Sequence, residues 1–458
     1  MRALIADLLK KDPNIFEAKN SLIKAIQKYQ KKIKQIAPPN PKLTKTYEET
    51  LRSFAQYRGE DLWHPYLGSG FGNGPLVELA DGSVKYDLIC GMGPHYWGHN
   101  HPDVLSSLID AALSDLVIQG NLQQNLDSVK LTELLIKSSG MDHCFLSTSG
   151  AMACENGLKI IFQKKYPAQR LLAFENCFTG RTLAISQITD RASYRDGLPP
   201  SLRVDYLPFF DTHDPKNSSR KTLEKLEVFL KRYPKQHAAM IFELVQGEAG
   251  LYPGTSAFFI PIMEVLKKNN IAVFVDEVQT FGRTPELFAY QHFKLESYVD
   301  LVALGKVAQV CATLYKNDFN PRPGLISQTF TSSTSAIRVG LCIIQNLLSK
   351  NYFGSNGKIS IIHQRMTQHL EKLTQIYPSI LSGPFGMGSM FAFTVFKGDE
   401  EKTRKFVKKL FEEGIIAFTA GFSPTRVRFL LPIGSISIQD LDIIAKILKS
   451  TLDKMKNS

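Results

Sequence analysis

The 458-residue chain is 43% hydrophobic and 10% aromatic, enough apolar material for a large core and more than one domain. Its 55 Lys and Arg against 43 Asp and Glu leave a net charge of +12; the lysines gather before Lys45 and in the C-terminal third, which predicts solvated helix faces and no nucleic-acid partner. No apolar run approaches the roughly 18–20 residues of a membrane span, the opening MRALIADLLKKDPN is too short and too charged for a secretory signal, and the six cysteines (90, 144, 154, 177, 311 and 342) contain no CxxC pair, so the expectation is a cytoplasmic protein with reduced thiols and no membrane contact.

Residues 1–60 predict a helical extension: one or two amphipathic, lysine-rich helices to about residue 37, closed by APPNPK (37–42), whose prolines cannot continue a helix. GSGFGNG (68–74) lacks the GxGxxG spacing of a dinucleotide site and reads as a mobile loop. PLVELADGSVKYDLI (75–89) predicts a hairpin turning at Asp81-Gly82. From about residue 100, short apolar runs alternate with helical segments, the pattern of a mostly parallel α/β sheet. Candidate strands are 143–147, 170–175, 238–245, 271–276 and 300–305. Each ends in glycine or polar residues, so their carboxyl ends point to one shared ligand site. After about residue 345, helices alternate with strand-like pieces at 389–396 and 426–432, which predicts a smaller α+β domain. The expected division is a 1–60 extension, a small domain of 61–100 with 341–458, and a large domain of 101–340.

Three features of the large domain carry chemistry. Lys306 follows directly on the apolar run 300–305, where a desolvated amine has a lowered pKa and becomes a nucleophile toward carbonyls; a lysine at a strand exit, taken alone, is more often a solvated surface residue. Asp276 ends a neighbouring apolar run and suits the protonated ring nitrogen of a pyridine cofactor, although alone it would more often cap a loop. STSGAMACENGLKI (147–160) turns a strand end into a helix start, where the free N–H groups of Gly150 and Ala151 and the helix dipole suit a phosphate; ordinary capping by Ser147 or Ser149 explains the same serines. An amine, an acid for the pyridinium and a phosphate anchor are what pyridoxal phosphate (PLP) requires.

SGAMACENGLKI, FENCFTGRT, ELVQGEAG, DEVQTFGRT and LGK, in that order, resemble the class III aminotransferases, PLP enzymes of fold type I, from roughly residue 60 to the end. The resemblance implies a mostly parallel central sheet in a large domain with a smaller α+β domain. It makes Lys306 the catalytic Schiff-base lysine and Asp276 the pyridinium partner. Val278 and Gln279 would touch the ring face and its phenolic oxygen, Phe178 would stack on the opposite face, and Gly150 and Ala151 would hold the phosphate. Thr329 of QTFTSSTS matches a threonine that reaches the phosphate of the neighbouring subunit, which implies a homodimer with shared sites. Arg181 would bind a substrate carboxylate through its planar fork. Glu248 and Arg428 match a gate, in which the arginine is neutralised for one substrate and released for the other. His95, His99 and His101 fall in the family's GHxHP segment, and no metal is expected.

The activity implied is transfer of a terminal amino group from a diamino acid to 2-oxoglutarate by a ping-pong cycle. Lysine is the first choice of donor, because GKVAQVCA after the reactive lysine resembles lysine 6-aminotransferases. The alternatives are an ornithine, acetylornithine or 4-aminobutyrate aminotransferase, another fold type I PLP reaction (racemase, mutase or decarboxylase), and a non-catalytic basic binding protein. Three departures bear on loop geometry: Leu244 where the family has proline, QTFGRTPE lacking a glycine, and TFTSSTS in place of a glycine-rich loop.

Overall fold

The computed structural model describes residues 4–115, 117–118 and 120–456. Its centre is a seven-stranded sheet in the spatial order His143–Ser147, Cys311–Tyr315, Leu301–Leu304, Ala272–Glu277, His237–Glu243, Arg170–Phe174, Arg203–Leu207. Six strands are parallel; Cys311–Tyr315 runs antiparallel to both its neighbours. Every residue of His237–Glu243, Ala272–Glu277 and Leu301–Leu304 is buried, which is why these strands read as unbroken apolar runs. The register aligns Asp276 with Glu243 on one side and Ala303 on the other, so the chemistry-bearing strand ends lie level.

Two strands of this sheet escaped the sequence reading. Arg203–Leu207 is an edge strand whose Asp205 pairs with Arg170 at 2.6 Å and His237 at 2.8 Å, so polar residues interrupt the apolar pattern. Cys311–Tyr315 returns immediately after the Lys306 turn and forms a hairpin with Leu301–Leu304.

GSGFGNG is not a loop. Gly68–Asn73 is a strand antiparallel to Leu76–Leu79, with an irregularity between Gly68 and Gly72. Its glycines permit close packing, since a Cβ on Gly72 would lie 2.5 Å from both His99 Cβ and the Leu76 carbonyl oxygen. The hairpin at Asp81-Gly82 forms as expected, with Gly82 at a φ of 79°. Ile415–Ile416 joins the same sheet, parallel to Val84–Asp87; on that shared sheet we propose grouping 61–100 with 341–458. A second four-stranded antiparallel sheet runs Leu381–Met387, Met390–Val395, Arg426–Leu430, Phe418–Ala420.

The N-terminal helices, Ile5–Lys10 and Pro13–Gln30, end before the prolines. The prolines do more than close them: Pro41 opens a third helix, Pro41–Arg58, at the position where its missing N–H costs nothing, and Asn40 caps it. Lys19 ties the extension to Asp110 at 2.7 Å. No described helix is long and apolar enough to cross a membrane.

Candidate active site

Asp276 is 7% exposed at its strand end. One carboxylate oxygen accepts the Val278 N–H at 2.9 Å and the other the Cys154 thiol at 3.6 Å. Burial raises its pKa to about 6 despite these donors and the nearby Lys306. Lys306 stands two residues past Leu304 in a single tight turn, Lys306–Ala308, with its own φ at 49°. Burial, reinforced by the charge of Arg428, lowers its amine to about 8, against the pull of Asp276 and Glu248. Gly93 leaves room for its stem: a Cβ there would meet Lys306 Cδ at 3.4 Å and Arg283 Nη2 at 3.1 Å.

Gly150 and Ala151 open the helix Gly150–Lys164, which Ser149 caps by accepting the Met152 N–H at 3.2 Å. A Cβ on Gly150 would meet Val278 Cγ1 at 2.8 Å, so the helix start and the valine beyond Asp276 are neighbours. Gln279 is buried beside them, packed close against Gly247. Phe178 donates its N–H to Glu243 at 3.0 Å, and its ring lies perpendicular to that of Tyr194 with centroids 6.3 Å apart. Arg181 is exposed and lays its guanidinium over the same Tyr194 ring at 3.8 Å. Arg428 is fully buried and pairs with Glu248 at 3.0 Å; its Nη2 faces the Met92 sulfur at 3.8 Å and its Nε has no partner. Burial would raise the Glu248 carboxyl, but Arg428 holds it below its ordinary value.

Contacts and electrostatic coupling thus join Lys306, Asp276, Val278, Gln279, Gly150, Ala151, Phe178, Glu248 and Arg428, with Arg181 connected through Tyr194. Thr329 is exposed, and among the described residues no hydrogen bond joins it to this cluster. In the altered TFTSSTS loop, Ser333 caps the helix Thr334–Ser349. Glu277, beside Asp276, is structural: it accepts the Tyr290 N–H at 2.9 Å and the Thr280 hydroxyl. His99 bonds Asp87 at 3.1 Å, and His95 stacks on His99.

Sequence reasoning missed three groups. Cys154 lies one helical turn past Gly150 and sits under Asp276. Glu243 ends an apolar strand as Asp276 does, a signal that was available. Arg283 is a fully buried guanidinium that donates to Gly93 O at 2.6 Å, Ser389 Oγ at 3.2 Å and Leu431 O at 3.3 Å; nothing local in QTFGRTPE signals it.

These residues fit PLP. The set holds an amine poised near neutrality, a buried acid, and a helix start without a basic side chain. Two buried polar atoms at its edge, Ser147 Oγ and Gln279 Oε1, have no partner within the protein, the condition expected where a ligand completes the hydrogen bonding. Fold and site together define a PLP enzyme of fold type I. Residues 70–452 match the family model for aminotransferase class III, and the chain belongs to that family of PLP-dependent transaminases. It is 29% identical to an acetylornithine aminotransferase of Prochlorococcus marinus, over 84% of this chain and 91% of that protein. It is 27% identical to one of Methanocaldococcus jannaschii, over 84% and 93%. In fold it is similar to the lysine aminotransferase of M. tuberculosis, with a TM-score of 0.78 at 20% identity over 88% and 99% of the two chains. The ornithine aminotransferase of Toxoplasma gondii gives 0.79 at 22%, over 90% and 96%.

Proposed function

We propose that the enzyme, as a cytoplasmic homodimer, moves the terminal amino group of an amino acid with a free α-carboxylate to 2-oxoglutarate in two half-reactions. The observation that carries this reading is the Glu248–Arg428 pair: a fully buried guanidinium neutralised by a carboxylate that remains partly exposed. A donor that presents its distal amine near Lys306 places its α-carboxylate at Arg181 while Glu248 masks Arg428. For 2-oxoglutarate, with two carboxylates, Glu248 swings away and both arginines bind. Lysine, favoured by GKVAQVCA, and N-acetylornithine, favoured by the names of the curated relatives, both satisfy this description.

Bound PLP supplies an electrophilic carbon for the amine and an electron sink for loss of the substrate proton. The protein does the rest. The Lys306 amine would serve as the base that takes the proton from the substrate carbon and as the acid that returns it. The Asp276 carboxylate would pair with the ring nitrogen and favour its protonated form. The N–H groups of Gly150 and Ala151 would hold the phosphate, with Thr329 of a second subunit joining them in the proposed dimer, while Val278 and Phe178 would flank the ring and Gln279 would meet its phenolic oxygen.

Single-turnover measurements of each half-reaction, with lysine, ornithine, N-acetylornithine, 4-aminobutyrate and glutamate as donors, test the reading. Terminal-amine donors bearing an α-carboxylate should react fastest. Glu248→Ala, which leaves Arg428 permanently available, should shift preference toward glutamate. Arg428→Ala should slow the 2-oxoglutarate half-reaction by about 2–5 kcal/mol in activation free energy. An unchanged preference in Glu248→Ala would overturn the gate.

A further inference from the structure

Glu243 ends the strand His237–Glu243 level with Asp276 and is 8% exposed. Among the described residues it forms no ion pair, a costly arrangement for a buried carboxylate unless hydrogen bonds offset it. Its two oxygens do separate jobs. One accepts the Phe178 N–H at 3.0 Å; the other accepts the Gly247 N–H at 2.9 Å, one residue before Glu248. The far side of that short helical turn, Gly247–Gly250, is fastened as well, since the Glu248 carbonyl accepts the Gly421 N–H at 2.7 Å. We infer that Glu243 is a positioning residue: a single carboxylate that sets the backbone presenting Phe178 and the backbone presenting Glu248, so that the cofactor's binding site and the gate are aligned together.

The inference rests on the roles given above to Phe178 and Glu248 and deepens them. A carboxylate is the group the task requires. When ionised it is acceptor-only at both oxygens, whereas a glutamine offers one acceptor and turns its NH2 toward the other N–H. Burial, and the charge of Asp276 alongside, raise its pKa to about 8, with the two N–H donors opposing the rise, so the ionised form prevails above about pH 8. Stability alone would be served better by a neutral side chain. Above that pH the charge stands where two functional backbones meet, with an N–H donor on each oxygen.

Glu243→Gln tests this through two readouts on one variant, both taken at about pH 9, where the wild-type carboxyl is ionised. The first is the dissociation constant of PLP from the apoprotein, by fluorescence titration. The second, at saturating PLP, is the ratio of single-turnover rates for a terminal-amine donor and for glutamate. Both should move together, PLP binding weakening about tenfold and the ratio falling about tenfold, because one amide N–H loses its acceptor and the shared anchor loosens. If Glu243→Gln does not fold, Glu243→Asp, which keeps the charge but is too short to span both donors, should give the same paired change. A shift in only one readout, or in neither, overturns the inference. Failure of the underlying site reading shows separately: Glu248→Ala would leave the rate ratio unchanged whatever Glu243→Gln does, and the inference would fall with it.

Discussion

Lys306 carries its amine on backbone that lysine seldom adopts. A φ of 49° lies in the left-handed region, where a side chain costs on the order of 1–3 kcal/mol unless the surroundings hold it. Here they do: Gln309, which caps the end of that turn at a φ of 62°, donates its side-chain amide to Pro94 O at 2.8 Å and pins the turn to the segment facing it. The lysine is a base whose folded-state pKa, about 8, lies below its ordinary value of 10.5. The native state therefore sheds this proton first, and its stability rises with pH between about 8 and 10.5. Competitive labelling of the apoprotein with acetic anhydride should show Lys306 reactivity climbing about tenfold per pH unit and levelling off near pH 8, while surface lysines climb further. Asp276→Asn removes a charge that favours the ammonium, so the plateau should arrive at lower pH. A Lys306 profile that tracks the surface lysines would mean a solvated amine. Lys306→Ala should lose essentially all turnover.

The helix Gly150–Lys164 is the element on which the phosphate anchor depends, and it is held by contact with the central sheet. Gly157 faces the ring of Phe274, a fully buried residue of the strand that carries Asp276; a Cβ there would lie 2.3 Å from the ring. Gly157→Ala must therefore push helix and strand apart. We expect a loss of about 1–3 kcal/mol, read as a lower thermal midpoint of the apoprotein, with weakened PLP binding because Gly150 and Asp276 separate. A midpoint equal to wild type would show that the ring has room to move. Ala272–Glu277 was legible in the sequence because both its faces are buried. Arg203–Leu207 was not, because its Asp205 interaction with Arg170 and His237 places charge where an apolar residue would have marked a strand.

Across the whole molecule, the central sheet, the 90–97 segment and the C-terminal sheet converge on Arg283. Its guanidinium reaches Gly93 O, Ser389 Oγ and Leu431 O, its carbonyl accepts the Ser389 N–H at 2.9 Å, and its planar face lies 4.8 Å from the Tyr96 ring. Arg283→Met would keep much of the volume and leave those carbonyls without donors. It should cost about 2–5 kcal/mol in urea unfolding of the apoprotein. Because Gly93 lies between Arg283 and Lys306, it should also displace the labelling plateau of Lys306. An unfolding curve superimposable on wild type would show that water or neighbouring groups replace the lost bonds.

The sequence by itself determined what local rules write: the apolar runs of buried parallel strands, the serine-capped helix start at Gly150, the Asp81-Gly82 turn, and ordered motifs specific enough to identify a PLP-dependent aminotransferase family. Gly68–Asn73 was misread because glycine signals a flexible loop in isolation and close strand packing only when a neighbour such as His99 occupies the space. Which side chains meet was decided by the tertiary structure. Arg283 and Gly93 are 190 residues apart in the chain, Cys154 and Asp276 122, Glu248 and Arg428 180, Glu243 and Phe178 65. No periodicity or capping pattern spans such separations. Resemblance linked Glu248 to Arg428, whereas the Glu243, Cys154 and Arg283 contacts arise only when the sheet register levels the strand ends and the packed elements exclude the water that would otherwise satisfy these polar groups.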